Sequence, residues 1–184
     1  MSDYFEAFGI ERKLALDPKD LETRFYALSR KLHPDLFARK SKAERDKAEE
    51  DTARLNDAYR TLRDPIARAG YLLKLEGFDI GEQGTKDVPP ELLEEMFELN
   101  MALEEMLESM PEGGAAYVNG PWVDVSEKLA KVDEELQARF AEWDSGRQRE
   151  TLSAIRGILN RRKYIANLLS SAQSATGADV VGDQ

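Results

Sequence analysis

A single histidine, His33, occurs in this chain, and Pro34 and Asp35 follow it directly. An imidazole and a carboxylate this close could act as a general base with its orienting acid, or could present one polar and one ionic contact to another protein. The rest of the composition weighs against the first use. With no cysteine in the chain, thiolate nucleophiles, thiolate metal sites and disulfides drop out together, and one histidine cannot build a His-rich metal centre. A Ser/His/Asp triad would need His33 itself, and a lone His ahead of Pro is more often a surface or structural residue, so no enzymatic activity is expected. Glu91, Glu94, Glu95 and Glu98 form an acidic row. A carboxylate di-iron bundle also requires Glu-x-x-His motifs, which are absent, so a solvated helix face is expected there, and neither a metal nor another cofactor.

The tripeptide is positioned by what flanks it. Pro34 has no backbone N–H and drives His33 out of the α region, so a helix arriving from Pro18 has to stop there. That helix carries Leu21, Phe25, Leu28 and Leu32 along one face, and a second, from Ala43 to Leu62, carries Ala48, Leu55, Ala58, Tyr59 and Leu62. The two stripes can bury each other as an antiparallel pair with His33, Pro34 and Asp35 at the exposed tip. Asp17 before Pro18, Ser41 with Glu44 three residues on, and Asp64 with Pro65 supply the expected starts and stops. A short helix over residues 3–10, capped by Asp3 and ended by Gly9, should lay Tyr4, Phe5 and Phe8 over the pair. The stretch 36–42 is expected as a loop, and a helix from Ile66 to Glu76 would turn Ala67, Tyr71, Leu72 and Leu75 to one packed face.

Three Gly and two Pro between Gly77 and Pro90 mark a connection. Beyond it three apolar periodicities follow: Leu92, Met96, Leu99, Leu103 and Met106; Val125, Leu129, Val132, Leu136, Phe140 and Trp143; Leu152, Ile155, Leu159, Ile165, Leu168 and Leu169. Three amphipathic helices joined by short loops imply an antiparallel bundle, and no β-period is sustained, so the class is all-α. On the first of these helices Leu93, Phe97 and Met101 form a second stripe, roughly 100° around the axis from the core stripe. Periodicity alone favours packing it on the third bundle helix. The Gly-rich piece from Pro111 to Pro121 joins the first two bundle helices. Residues 173–184 are expected to form a disordered tail, which divides the chain into 1–76, a linker over 77–90, a bundle over 91–172 and the tail.

The net charge of -10 is unevenly spread: residues 1–75 hold 16 Lys/Arg against 14 Asp/Glu, and 76–184 hold 10 against 22. The acidic half would be repelled by phosphate backbones, so a basic or neutral protein suits it as a partner and nucleic acid does not. The N-terminal residues show neither a basic start nor an apolar run, and no segment approaches the roughly 18 apolar residues of a membrane span. Neither export nor membrane association is expected, and the cytoplasm is the expected compartment.

The N-terminal motifs also occur together in a known module. Tyr4-Phe5 opens the first helix, Phe25-Tyr-Ala-Leu-Ser-Arg-Lys-Leu-His-Pro-Asp35 spans the second, and Leu55-Asn-Asp-Ala-Tyr-Arg-Thr-Leu-Arg-Asp-Pro65 ends the third. With these, residues 3–75 resemble a J-domain, the module by which J-type co-chaperones engage a DnaK-type chaperone ATPase. Arg68-Ala-Gly-Tyr-Leu-Leu-Lys-Leu-Glu-Gly-Phe-Asp79 is similar to the extension in the HscB family, the J-type co-chaperones of iron–sulfur cluster assembly. The resemblance implies an N-terminal J-domain followed by a C-terminal three-helix bundle. It implies that Arg24, Arg30 and Lys31, which charge patterning alone would leave as a solvated face, dock on an acidic surface of an HscA- or DnaK-type ATPase. His33, Pro34 and Asp35 would then be presented to that partner. Leu93, Phe97, Glu98 and Met101, with Tyr164 on the last helix, are implied to bind an IscU-like iron–sulfur scaffold protein. The alternative is a J-domain co-chaperone for another client, with residues 93–101 merely packed in the bundle.

Overall fold

The computed structural model describes residues 3–78, 90–109 and 121–176. All regular structure among them is helical: α1 (Tyr4–Phe8), α2 (Pro18–Lys31), α3 (Pro34–Phe37), α4 (Lys42–Arg63), α5 (Pro65–Leu75), α6 (Pro90–Ser109), α7 (Pro121–Gly146) and α8 (Arg149–Thr176). The chain divides into two compact units, one of residues 1–79 with 140–152 and one of 80–139 with 153–184.

Local chemistry sets the helix ends of the first unit. Asp3 and Glu6 form a reciprocal capping box at α1, and Gly9, at φ 63°, closes it in the left-handed region that glycine adopts without strain. Asp17 caps α2 ahead of Pro18, and a second box, Ser41 with Glu44, opens α4. Asp64 ends α4 and caps α5, its Oδ1 accepting from the N–H of Ile66 at 2.7 Å and of Ala67 at 3.2 Å.

Helix α4 is the spine of this unit, in contact with α1, α2, α3 and α5. Thr52 Oγ1 donates to the Leu32 carbonyl at 3.4 Å, and further along the pair Phe25 stacks on Tyr59 with centroids 4.2 Å apart. That pairing order makes α2 and α4 antiparallel, as the stripes predict. Phe5, Phe8, Leu14, Leu21, Ala48, Leu55, Ala58 and Leu62 are buried, while Phe25, Leu28, Leu32 and Tyr59 are half-buried.

Two expectations need correction here. The stretch 36–42 is not wholly loop, because Pro34–Phe37 form one helical turn capped by His33. Helix α5 buries Ala69, Leu72 and Leu73 together with Arg68, whereas Ala67 is exposed. The α7–α8 corner also belongs to this unit: Phe140, Trp143 and Leu152 are buried, and the Asp144 carboxylate accepts from the N–H groups of Leu14 and Ala15, each at 2.8 Å. Arg147, at φ 54°, holds its guanidinium 4.1 Å over the Trp143 ring.

In the second unit Val132 and Leu136 of α7 and Ile155, Ile158, Leu159 and Ile165 of α8 are buried. Asp133 of α7 pairs with Arg162 of α8, with contacts of 2.5 and 3.2 Å. Helix α7 begins at Pro121 rather than Val125, and α8 continues to Thr176, four residues into the stretch expected as tail. Residues 79–89 of the linker expected over 77–90, residues 111–120 of the Gly-rich piece and residues 177–184 of the expected tail lie outside the described residues.

Candidate functional site

His33 follows Leu32, the C-cap of α2, and itself caps the start of α3 with φ -58° and ψ 131°, the extended conformation that a residue before proline takes. Its Nδ1 accepts the N–H of Asp35 at 3.3 Å, and its carbonyl accepts the N–H of Leu36 at 3.0 Å. These two bonds fix the first turn of α3, and with it the direction in which the Asp35 side chain leaves the backbone. Asp35 Oδ2 lies 3.4 Å from the same Nδ1. A nitrogen that accepts from an amide carries no proton, so this approach becomes an ion pair only when the imidazole is charged. The Asp35 side chain is 88% exposed and that of His33 58%. Phe37, half-buried, lines a cleft of about 480 Å³ against α4 with Leu32, Ala48, Thr52 and Ala53.

The cations on α2 divide into two kinds. Arg30 and Lys31 are exposed in its last turn, where the helix dipole favours positive charge, and no ion pair engages them among the described residues. Arg24 is held. Its Nε donates to Asp20 at 2.8 Å, and its terminal nitrogen donates to the carbonyls of Phe8 at 3.4 Å and Gly9 at 3.2 Å. It thereby satisfies the C-terminal carbonyls of α1, a role that its place in a basic row does not reveal.

Within the second unit α6 presents Leu93 at 40%, Phe97 at 66% and Met101 at 52% exposure. The stripe that periodicity would pack is therefore open to solvent. Glu94, Glu98, Glu104, Glu105 and Glu108 of α6 are also exposed, so the apolar row sits in an acidic setting. Tyr164, half-buried on α8, is brought to this helix, since Asn100 Nδ2 hydrogen-bonds to its hydroxyl. Asn100 is a member of the site that apolar periodicity does not flag, because it is one polar residue between two apolar rows. Among the described residues no group of three or more His, Asp or Glu side chains could hold a metal ion, and no helix is long and apolar enough to cross a membrane.

Comparison with known proteins places both halves. Residues 3–71 match the DnaJ domain family, and residues 88–173 match the family described as the HSCB C-terminal oligomerisation domain. The chain is 35% identical over 149 residues to the co-chaperone protein HscB homolog of Aliivibrio salmonicida, covering 79% of this chain and 85% of that one. It is 34% identical over 173 residues to the Vibrio vulnificus homolog, covering 90% and 92%. An iron-sulfur cluster co-chaperone protein HscB homolog of Arabidopsis thaliana is 36% identical over 141 residues, which are 77% of this chain and 49% of the plant protein, so the chain spans about half of that relative's length. Among solved structures, chaperone HscB from Vibrio cholerae superposes with a TM-score of 0.63 at 29% identity, covering 94% of this chain and 96% of that one. Human co-chaperone protein HscB gives 0.69 at 27%, covering 95% and 82%.

Proposed function

This chain belongs to the HscB family of J-domain co-chaperones, and from that premise we propose that it stimulates the ATPase of an HscA- or DnaK-type chaperone and delivers to it an IscU-like iron–sulfur scaffold protein. In this reading the chain has no catalytic activity of its own. Arg30 and Lys31 meet an acidic surface of the ATPase, and Arg24 adds its charge from a fixed position beside them. Asp35 pairs with a basic group of the partner and favours the hydrolysis-competent state. The observation that carries the reading is the Asp35 carboxylate itself, exposed on a helical turn that His33 caps.

The second unit supplies the client site, with Leu93, Phe97 and Met101 as apolar contacts, Glu98 as an ionic one and Tyr164 at the edge. Exposure of all three apolar residues supports partner binding over the alternative in which they only pack the bundle. Holding the scaffold on the same chain as the ATPase contact raises its effective concentration at the chaperone.

The test is Asp35→Ala, assayed for steady-state ATP turnover by the purified chaperone. A charge-assisted contact is worth about 1.5–3 kcal/mol, so stimulation should fall at least about tenfold. Helical circular dichroism should not change, because the side chain is exposed. Full stimulation by this variant would refute the assignment.

A further inference from the structure

The largest apolar exposure next to the tripeptide is Leu36. Among the described residues of the first unit, only Tyr26 and Leu36 are large hydrophobic side chains open to solvent, at 55% and 59%. A single exposed leucine is ordinary on a protein surface. This one differs in where it stands and in how it is held. It follows Asp35 directly, and its own N–H is tied to the His33 carbonyl in the capped turn of α3. Of the two apolar residues on that turn, Phe37 is turned toward α4 and Leu36 is left outside. Tyr26 lies one turn before Arg30 on the same face of α2. Exposed apolar surface thus flanks the exposed cations Arg30 and Lys31 and the exposed carboxylate of Asp35.

We propose that Leu36 is an apolar docking residue for the chaperone ATPase, seated in a recess of that partner beside the basic group that receives Asp35. It sets how tightly the two proteins engage, while Asp35 sets whether hydrolysis is stimulated. The occupant is fixed by charge: a surface that meets Arg30 and Lys31 is acidic, and one that receives Asp35 carries a local cation, which together describe the partner already assigned to this face. The inference rests on that assignment and adds a specificity-determining residue to it. The capped turn supports the role, since a backbone already in its helical conformation has less freedom to lose on docking.

The experiment titrates wild type, Leu36→Ser and Leu36→Met against the purified chaperone, reading ATP turnover and, separately, direct binding by interferometry. Leu36→Ser should raise the half-saturating concentration about tenfold, the change expected for losing the burial of roughly half a leucine side chain. Its maximal stimulation should stay within about twofold of wild type, and Leu36→Met should restore binding to within about threefold, as an apolar isostere does. Thermal unfolding of both variants should match wild type, because the residue is exposed. Unaltered half-saturation by Leu36→Ser would overturn the proposal and leave the co-chaperone assignment standing. A loss of maximal stimulation at unchanged half-saturation would also overturn it, by making Leu36 part of the presentation of Asp35. No stimulation by wild type at any concentration would remove both.

Discussion

Asp3 shows how one side chain can hold two segments. It is 8% exposed; its carboxylate accepts from the N–H of Glu6 at 2.9 Å and from Arg12 Nε at 2.8 Å, and Arg12 also reaches Glu76 at 3.1 Å. Burial pushes the Asp3 carboxyl up, but the Glu6 amide and the Arg12 guanidinium outweigh it and hold the group below its ordinary value of 3.8. A carboxyl depressed in the folded state stabilises fully above its unfolded value and progressively less as pH falls toward the folded one. The stability gap between wild type and Asp3→Asn should therefore be constant above about pH 5, begin to close near the ordinary aspartate value and vanish below the depressed one. Urea unfolding followed at a series of pH values checks this; a gap unchanged down to the acid limit would contradict it. The capping role of Asp3 is legible from its place before Tyr4. The hold of Arg12 is not, since nothing in a run of loop residues says which carboxylate a guanidinium will reach. Arg68 is the stronger case: its charge suggests solvent, yet it stands four residues before Leu72 on the buried face of α5, is 5% exposed and donates to the Leu14 carbonyl at 2.9 Å and the Leu62 carbonyl at 2.5 Å.

At the scale of elements, boundaries that depend on neighbours in sequence were readable and those that depend on distant ones were not. The Asp3 cap of α1, the capping box of α4 and the Asp-Pro pair at the α4–α5 junction involve residues at most three apart, and each lies where its motif predicts. The single turn of α3 escaped because four residues carry no period, and the α7–α8 corner escaped because Asp144 finds its partners about 130 residues away, at Leu14 and Ala15. Helix α6 lies between these cases. Its four-residue spacing of Leu93, Phe97 and Met101 shows a second apolar stripe, but spacing is equally consistent with a packed and an open face. Exposure of 40–66% decides for the open one. Truncating all three to Ala should accordingly change stability little, within about 0.5 kcal/mol per site for surface positions. In a pull-down with purified components the triple variant should lose the iron–sulfur scaffold protein while still stimulating the chaperone ATPase. Large destabilisation, or scaffold binding retained, would count against the client role of α6.

At the scale of the whole chain, the charge is unevenly spread. Residues 1–75 carry an excess of two positive charges and 76–184 an excess of twelve negative ones, which under the proposed function suits two partners of different charge. Such contacts act mainly on encounter: complementary charge speeds association, and salt screens it with a Debye length of about 8–10 Å near physiological ionic strength. For the proposed ATPase contact, exposed Arg30 and Lys31 should contribute through the association rate, and Asp35, on its capped turn, should contribute to the bound state. Raising salt from about 0.05 to about 0.3 M should slow association with the chaperone several-fold and leave dissociation nearly constant. The double variant Arg30→Ala/Lys31→Ala should associate more slowly at low salt and show a shallower dependence, converging on wild type as salt rises. Stopped-flow association kinetics at four or five salt concentrations would read both slopes. Parallel slopes for the two proteins would mean that these cations do not face the acidic surface, and the approach of the ATPase to this face would then have to be driven by Arg24 and apolar contact.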